Sequence, residues 1–144
     1  MEFSKHQQRT MTHQQRPMTH QQMPMTLQDL IDRMLHESFD YLHFFGHIQR
    51  GSRVDKSCFS QWYPSGFTIN GVHYKTAEHF MMASKARLFN DLGALDQVLQ
   101  THDPKIAKGL GRRVNNFQQD VWEANCFDIV VQGTVAKFSQ VRKR

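Results

Sequence analysis

The stretch Phe67-Thr-Ile-Asn-Gly-Val-His-Tyr-Lys-Thr-Ala-Glu-His-Phe-Met-Met-Ala-Ser-Lys-Ala-Arg-Leu88 decides how this chain folds. Asn70-Gly71 separates two short runs of strand-forming residues, Phe67-Thr68-Ile69 and Val72-His73-Tyr74. An Asn-Gly pair supplies the positive backbone φ angles that a two-residue hairpin turn requires. Beyond Tyr74 the apolar period changes from two to about 3.6. Ala77, Phe80, Met81, Ser84 and Leu88 fall on one face of a helix, and Thr76 stands where a hydroxyl can cap the first free N–H groups. The stretch therefore predicts a small hairpin feeding directly into a helix.

Downstream the helical period continues. Leu92, Leu95, Val98 and Leu99 mark a second helix. Asp103-Pro104 places a cap before a proline at the first helical position and starts a third, which runs toward Gly109 and Gly111. A long last element spans about 118–140, with Val121, Ala124, Phe127, Val131, Val135 and Phe138 recurring every three or four residues. Upstream, from Tyr41 to Gly71, the chain is loop-like and punctuated by Gly46, Gly51, Pro64, Gly66 and Gly71. Leu27, Leu30, Ile31, Met34 and Leu35 form one more helical stripe and set the expected start of the domain at Leu27. The predicted fold class is mainly α: a compact single helical domain with one small β-hairpin.

Residues 1–26 read differently. His6-Gln-Gln-Arg, His13-Gln-Gln-Arg and His20-Gln-Gln-Met repeat every seven residues, but only Met11, Met18 and Met25 recur as apolar positions, and Pro17 and Pro24 interrupt any helix. A disordered Gln/His/Met arm is expected. Its histidines lack a carboxylate or thiolate partner, so no metal site is expected there.

Composition narrows the function. The 144 residues carry a formal charge of +5, of which the arm supplies +2 and Arg142-Lys143-Arg144 supply +3. The body between is neutral, which argues against a broad nucleic-acid-binding face. No stretch has the roughly 20 continuous apolar residues of a membrane span, and the start lacks the pattern of a secretory signal, so a cytoplasmic protein is expected. Cys58 and Cys126 are far apart and have no metal-ligand spacing.

Several residues are suited to chemistry. Glu78 stands two residues after the Thr76 cap, where the helix dipole favours an anion. Lys85 lies seven residues on, two turns along the same face and about 10 Å up the axis. Both also suit plain helix-end electrostatics, and the pattern alone favours that simpler reading. Phe44, Phe45, Phe59, Trp62, Tyr63 and Phe67 crowd one loop. Phe44, Phe45 and Phe67 are read as core, whereas Trp62 and Tyr63 suit either a core or the stacking of a flat base. Arg112-Arg113 is suited to a phosphate.

Taken together, Ser60-Gln-Trp-Tyr-Pro-Ser-Gly-Phe67, Gly71-Val-His-Tyr-Lys-Thr-Ala-Glu-His-Phe-Met-Met-Ala-Ser-Lys-Ala-Arg87, Ala107-Lys-Gly-Leu-Gly-Arg112 and Ala136-Lys-Phe-Ser139 resemble the NADAR domain, also called YbiA-like. The resemblance covers about 41–140 and implies a mainly helical N-glycosidase. Its implied substrates are the phosphoribosylamino-pyrimidine intermediates of riboflavin biosynthesis or ADP-ribosylated guanine, including ADP-ribosylated nucleic acid, with no cofactor. It implies that Glu78 is the carboxylate that stabilises the developing sugar cation or orients water. Lys85 would be either a nucleophile on the anomeric carbon or a phosphate partner. Trp62 and Trp122 would lie near the base and Arg112 at the phosphate, and Tyr63, from its place in the aromatic loop, is taken as a further substrate-binding residue. Family members continue past Gln140 into a further helical region with a Trp-Gly motif, so 27–144 is expected to be a C-terminally incomplete NADAR-like domain. The alternative is an impaired domain that binds ADP-ribose or a ribotide without cleaving it.

Overall fold

The computed structural model describes residues 25–140; the repeat arm up to residue 24, including its predicted disorder, and the tail 141–144 lie outside the described residues. The chain divides into two units, 1–39 and 40–144. In the first, α1 (Leu27–Met34) starts at Thr26. The Thr26 hydroxyl accepts from the Asp29 N–H at 3.1 Å, and the Asp29 carboxylate accepts from the Thr26 N–H at 2.9 Å, a reciprocal capping box. The predicted stripe forms the helix but no residue of it is buried, and Leu27, Ile31, Met34 and Leu35 are exposed.

The second unit holds the remaining elements in the predicted order. Strands β1 (Phe67–Ile69) and β2 (Val72–Tyr74) pair antiparallel around Asn70-Gly71, both of which have positive φ. They are followed by α2 (Ala77–Leu88), α3 (Leu92–Gln100), α4 (Pro104–Gly111) and α5 (Gln119–Ser139). A 3-10 turn at Lys56–Phe59 was not foreseen. It begins where the Asp55 carboxylate accepts from the Ser57 N–H at 2.9 Å.

The core is built around α2. Because Phe67 and Tyr74 are cross-strand partners, both project from the same face of the hairpin. Their rings meet Phe80 at centroid separations of 6.0 and 5.0 Å. Val98 of α3, Ala107 of α4 and Ala136 of α5 complete the cluster. The α2 helix is surrounded rather than laid on a surface, so Glu78, His79, Met82, Ala83 and Ala86 are buried as well as Ala77 and Phe80. The Lys75 ammonium donates to the Leu99, Gln100 and Thr101 carbonyls at 2.6–3.2 Å. It thereby satisfies the C-terminal end of α3 and fixes that helix to the start of α2.

Two expectations about the core are corrected. The stripe assigned to α5 is not its buried face: Phe127, Val135 and Phe138 are exposed, and the buried residues are Gly133, Ala136 and Lys137. Small residues win there because the helix must approach the Phe80 ring closely. A Cβ at Gly133 would lie 2.6 Å from Phe80 Cδ1. Phe44 and Phe45 are exposed rather than core, while Phe67 is buried as expected. Gly133→Ala gains about 1 kcal/mol of helix propensity but overpacks a rigid ring at a cost of about 1–3 kcal/mol. A lowered urea midpoint with an unchanged slope is the expected result.

Candidate functional site

Glu78 is fixed from both directions along the chain. Thr76, the N-cap of α2, accepts from the His79 N–H at 3.3 Å, and its hydroxyl also bonds His79 Nδ1 at 2.8 Å. The Glu78 N–H is one of the helix's first unpaired donors, and it finds the Gln61 carbonyl at 3.0 Å. This bond attaches the Ser60–Tyr63 loop to the start of α2 and puts Trp62 beside the carboxylate.

The Glu78 side chain is only 3% exposed, and its Oε1 has no hydrogen-bond partner. Burial drives its pKa above the ordinary carboxylic range. The nearby Lys108 cation, hydrogen bonding from the Trp62 side chain and the Arg112 cation oppose that rise. The helix-dipole expectation of an easily ionised carboxylate is thus outweighed by desolvation. Lys108 and Arg112 are one turn apart on α4 and its C-terminal cap, so they share a face. The Lys108 ammonium lies 5.6 Å from the Trp62 ring centroid, and the His47 ring packs on Trp62 with the ring centroids 5.5 Å apart.

Met82 follows Glu78 by one turn and meets Gly111 of α4 so closely that a Cβ there would lie 2.8 Å from Met82 Cγ. That contact holds the Glu78–Met82–Lys85 stripe against α4. Lys85 then projects onto two aromatic rings, with its ammonium 4.0 Å from the Phe117 centroid and 5.1 Å from that of Trp122. Partial burial lowers its pKa from the usual lysine value. The uncharged amine is therefore more accessible near neutral pH than in a solvated lysine.

The structure brings Glu78, Trp62 and Arg112 together, and Lys85 with Trp122. It commits Tyr63 elsewhere: the hydroxyl donates to Gln49 Oε1 at 2.6 Å, and the ring carries the Lys137 ammonium at 5.7 Å. Arg113 diverges from Arg112 and lines a hollow of about 410 Å³ with Asp91 and Gln97. Sequence reasoning missed Lys108, Phe117 and the Gln61 carbonyl. Lys108 had a signal, its i,i+4 spacing to Arg112 on a helix with small residues at Gly109 and Gly111.

The described surface hollows near α2 and the 43–57 loop, about 580 and 960 Å³, are not lined by Glu78 or Lys85. Trp62 and Lys108 flank the carboxylate. Among the described residues no group of three or more His, Cys, Asp or Glu is placed to hold a metal ion. No helix of the described residues is long and apolar enough to cross a membrane.

Comparison with known proteins identifies the family and relatives of this fold. The NADAR domain matches residues 44–144. An N-glycosidase of Acanthamoeba polyphaga mimivirus is 38% identical over 109 residues, which are 72% of this chain and 63% of that protein. Protein irg-1 of Caenorhabditis elegans is 28% identical over 98 residues, 57% of this chain and 46% of that protein. The NMR structure of the E. coli protein YbiA shares the fold with a TM-score of 0.52 at 24% identity, covering 68% of this chain and 58% of YbiA. The chain thus spans less than two thirds of the length of each of these relatives.

Proposed function

This chain belongs to the NADAR domain family, and from that premise we propose that it is an N-glycosidase that hydrolyses a ribose–nitrogen bond in a phosphorylated ribosyl compound. The observation that carries this reading is the buried Glu78 carboxylate with Lys108 and Arg112 beside it and Trp62 against it. A departing base leaves positive, oxocarbenium-like character on the anomeric carbon, and a carboxylate held in a dry site stabilises that charge far more than one in water. Two cations next to one carboxylate leave an excess positive charge, which suits a substrate phosphate. Drawing Lys108 toward that phosphate would take it off the Trp62 ring and free the ring face for the base.

Lys85 is read as the nucleophile rather than the phosphate partner. Aromatic faces surround its ammonium, and its lowered pKa favours the neutral amine. Attack of Nζ on the anomeric carbon breaks the bond to the base, which leaves with a proton. Ring opening gives a Schiff base, and water then releases the sugar and restores the amine. The implied substrates are phosphoribosylamino-pyrimidines or ADP-ribosylated guanine.

The test is release of free base from a phosphoribosyl substrate and from its dephosphorylated counterpart, followed by chromatography. Loss of charge-assisted hydrogen bonds of about 1.5–3 kcal/mol predicts a kcat/KM at least about tenfold lower without the phosphate. Equal rates for both would remove Lys108 and Arg112 from phosphate recognition. Binding of the ribosyl ligand without release of base would favour the non-hydrolytic alternative.

A further inference from the structure

Lys137 is the least expected residue of the core. It is 2% exposed, the last of the buried residues of α5 and in that helix's final turn. Its ammonium donates to the Cys58 carbonyl at 2.6 Å and the Ser60 carbonyl at 2.8 Å, and the Phe138 and Tyr63 rings lie 5.0 and 5.7 Å away. Burying an ammonium is costly unless its donors are used, and here two are used on carbonyls while ring faces lie alongside. Its hydrogen-bond acceptors are thus backbone carbonyls separated from it by 77 and 79 residues.

The turn that Lys137 grips leads directly into the candidate site. Ser60 Oγ accepts from the Trp62 N–H at 3.2 Å. The next carbonyl, Gln61, accepts from the Glu78 N–H at 3.0 Å. Trp62 itself turns its side chain toward the Glu78 carboxylate. The loop is therefore fastened to α5 through Lys137 at Cys58 and Ser60 and to α2 through Gln61 at Glu78, and Trp62 follows directly after these fastenings. A side chain of similar length without an amine would fill the space but take the ammonium donor from the Cys58 carbonyl and leave the Ser60 carbonyl with only the Tyr63 N–H, at 3.1 Å, and the turn would reorient toward water.

We propose that Lys137 is a positioning residue: by holding the Cys58 and Ser60 carbonyls it fixes the loop that sets Trp62 against Glu78. The consequence for turnover rests on the N-glycosidase reading above, whereas the placement of Trp62 does not.

Trp62 and Trp122 are the two tryptophans of the chain, so Trp122→Phe leaves Trp62 as the sole indole. In that background Lys137→Met is expected to shift Trp62 emission to the red and to raise its acrylamide quenching constant about twofold, as the ring leaves its half-buried place. In the otherwise unmodified chain, Lys137→Met is expected to lower kcat/KM by roughly 10- to 100-fold, chiefly through KM, because the ring that would stack on the base is displaced while Glu78 and Lys85 keep their places on α2. A merely structural lysine would lower the melting temperature and leave Trp62 quenching unchanged in the folded variant. That result would overturn the proposal. Should Lys137→Met show no cooperative thermal transition, Lys137→Gln decides. Its shorter amide keeps a donor on α5 but cannot reach both carbonyls, so raised quenching in the folded variant supports the proposal and unaltered quenching overturns it. If quenching rises but no variant, nor the wild type, releases base, the positioning role stands and the N-glycosidase reading falls.

Discussion

Glu78→Gln is expected to lower kcat by at least about 10²-fold while raising thermal stability at neutral pH. The rate loss follows from removing the carboxylate that faces the developing sugar cation, an electrostatic contribution of a kind that is commonly worth 10²–10³-fold. The stability gain follows from burial. The Glu78 carboxyl is held above the ordinary carboxylic range chiefly by desolvation, so the folded state binds a proton more readily than the unfolded chain does. Wild-type stability is therefore undiminished by this group below the ordinary carboxyl pKa. It falls as pH rises through the raised folded value, and is constant above it. The glutamine variant lacks this penalty, so its melting temperature should exceed that of the wild type by a margin that widens as pH rises from the ordinary carboxyl pKa to the raised folded one. Each kcal/mol relieved corresponds to about 4 °C in a domain of this size. A variant that is both inactive and less stable at neutral pH would mean that Lys108 and Arg112 need the carboxylate more than burial opposes it.

Lys85→Met should abolish covalent trapping. If the amine attacks the anomeric carbon, borohydride added during turnover reduces the Schiff base and leaves a sugar adduct on the peptide that contains Lys85, readable by mass spectrometry. The methionine variant should show neither adduct nor turnover, with kcat reduced on the order of 10³-fold or more. Because burial lowers the Lys85 pKa, the wild-type rate should climb with pH and level off below the range of an ordinary lysine. Turnover without any adduct would return Lys85 to the role of phosphate partner or of a plain cation on an aromatic face.

Much of this architecture was legible in the residues. Thr76 and Asp103-Pro104 announce helix starts by local hydrogen bonding, and Asn70-Gly71 announces a turn by backbone freedom, so the order of elements needed no tertiary information. The buried faces needed it. Nothing local shows that α2 is enclosed, or that Gly133 and Ala136 rather than Phe127 and Val135 are the core positions of α5; the close approach of the Phe80 ring decides that. The same limit applies to the site. Glu78 and Lys85 are visible as a two-turn pair on one helix. Lys108 acquires its meaning only where α4 crosses α2, through a contact that Gly111 permits. Lys137 stands in the Ala136-Lys-Phe-Ser139 motif, but no residue pattern shows its role, because its partners are backbone carbonyls far away in the chain.

The most direct test of the central claim is product analysis of the purified chain with a phosphoribosylamino-pyrimidine and with ADP-ribosyl-guanine DNA, beside Glu78→Gln. The account predicts release of free base and the ribosyl product in equal amounts from one of these substrates by the wild type, and none by the variant. Base release by Glu78→Gln at the wild-type rate, or no release of base from either substrate by a cooperatively folded wild type, would contradict it.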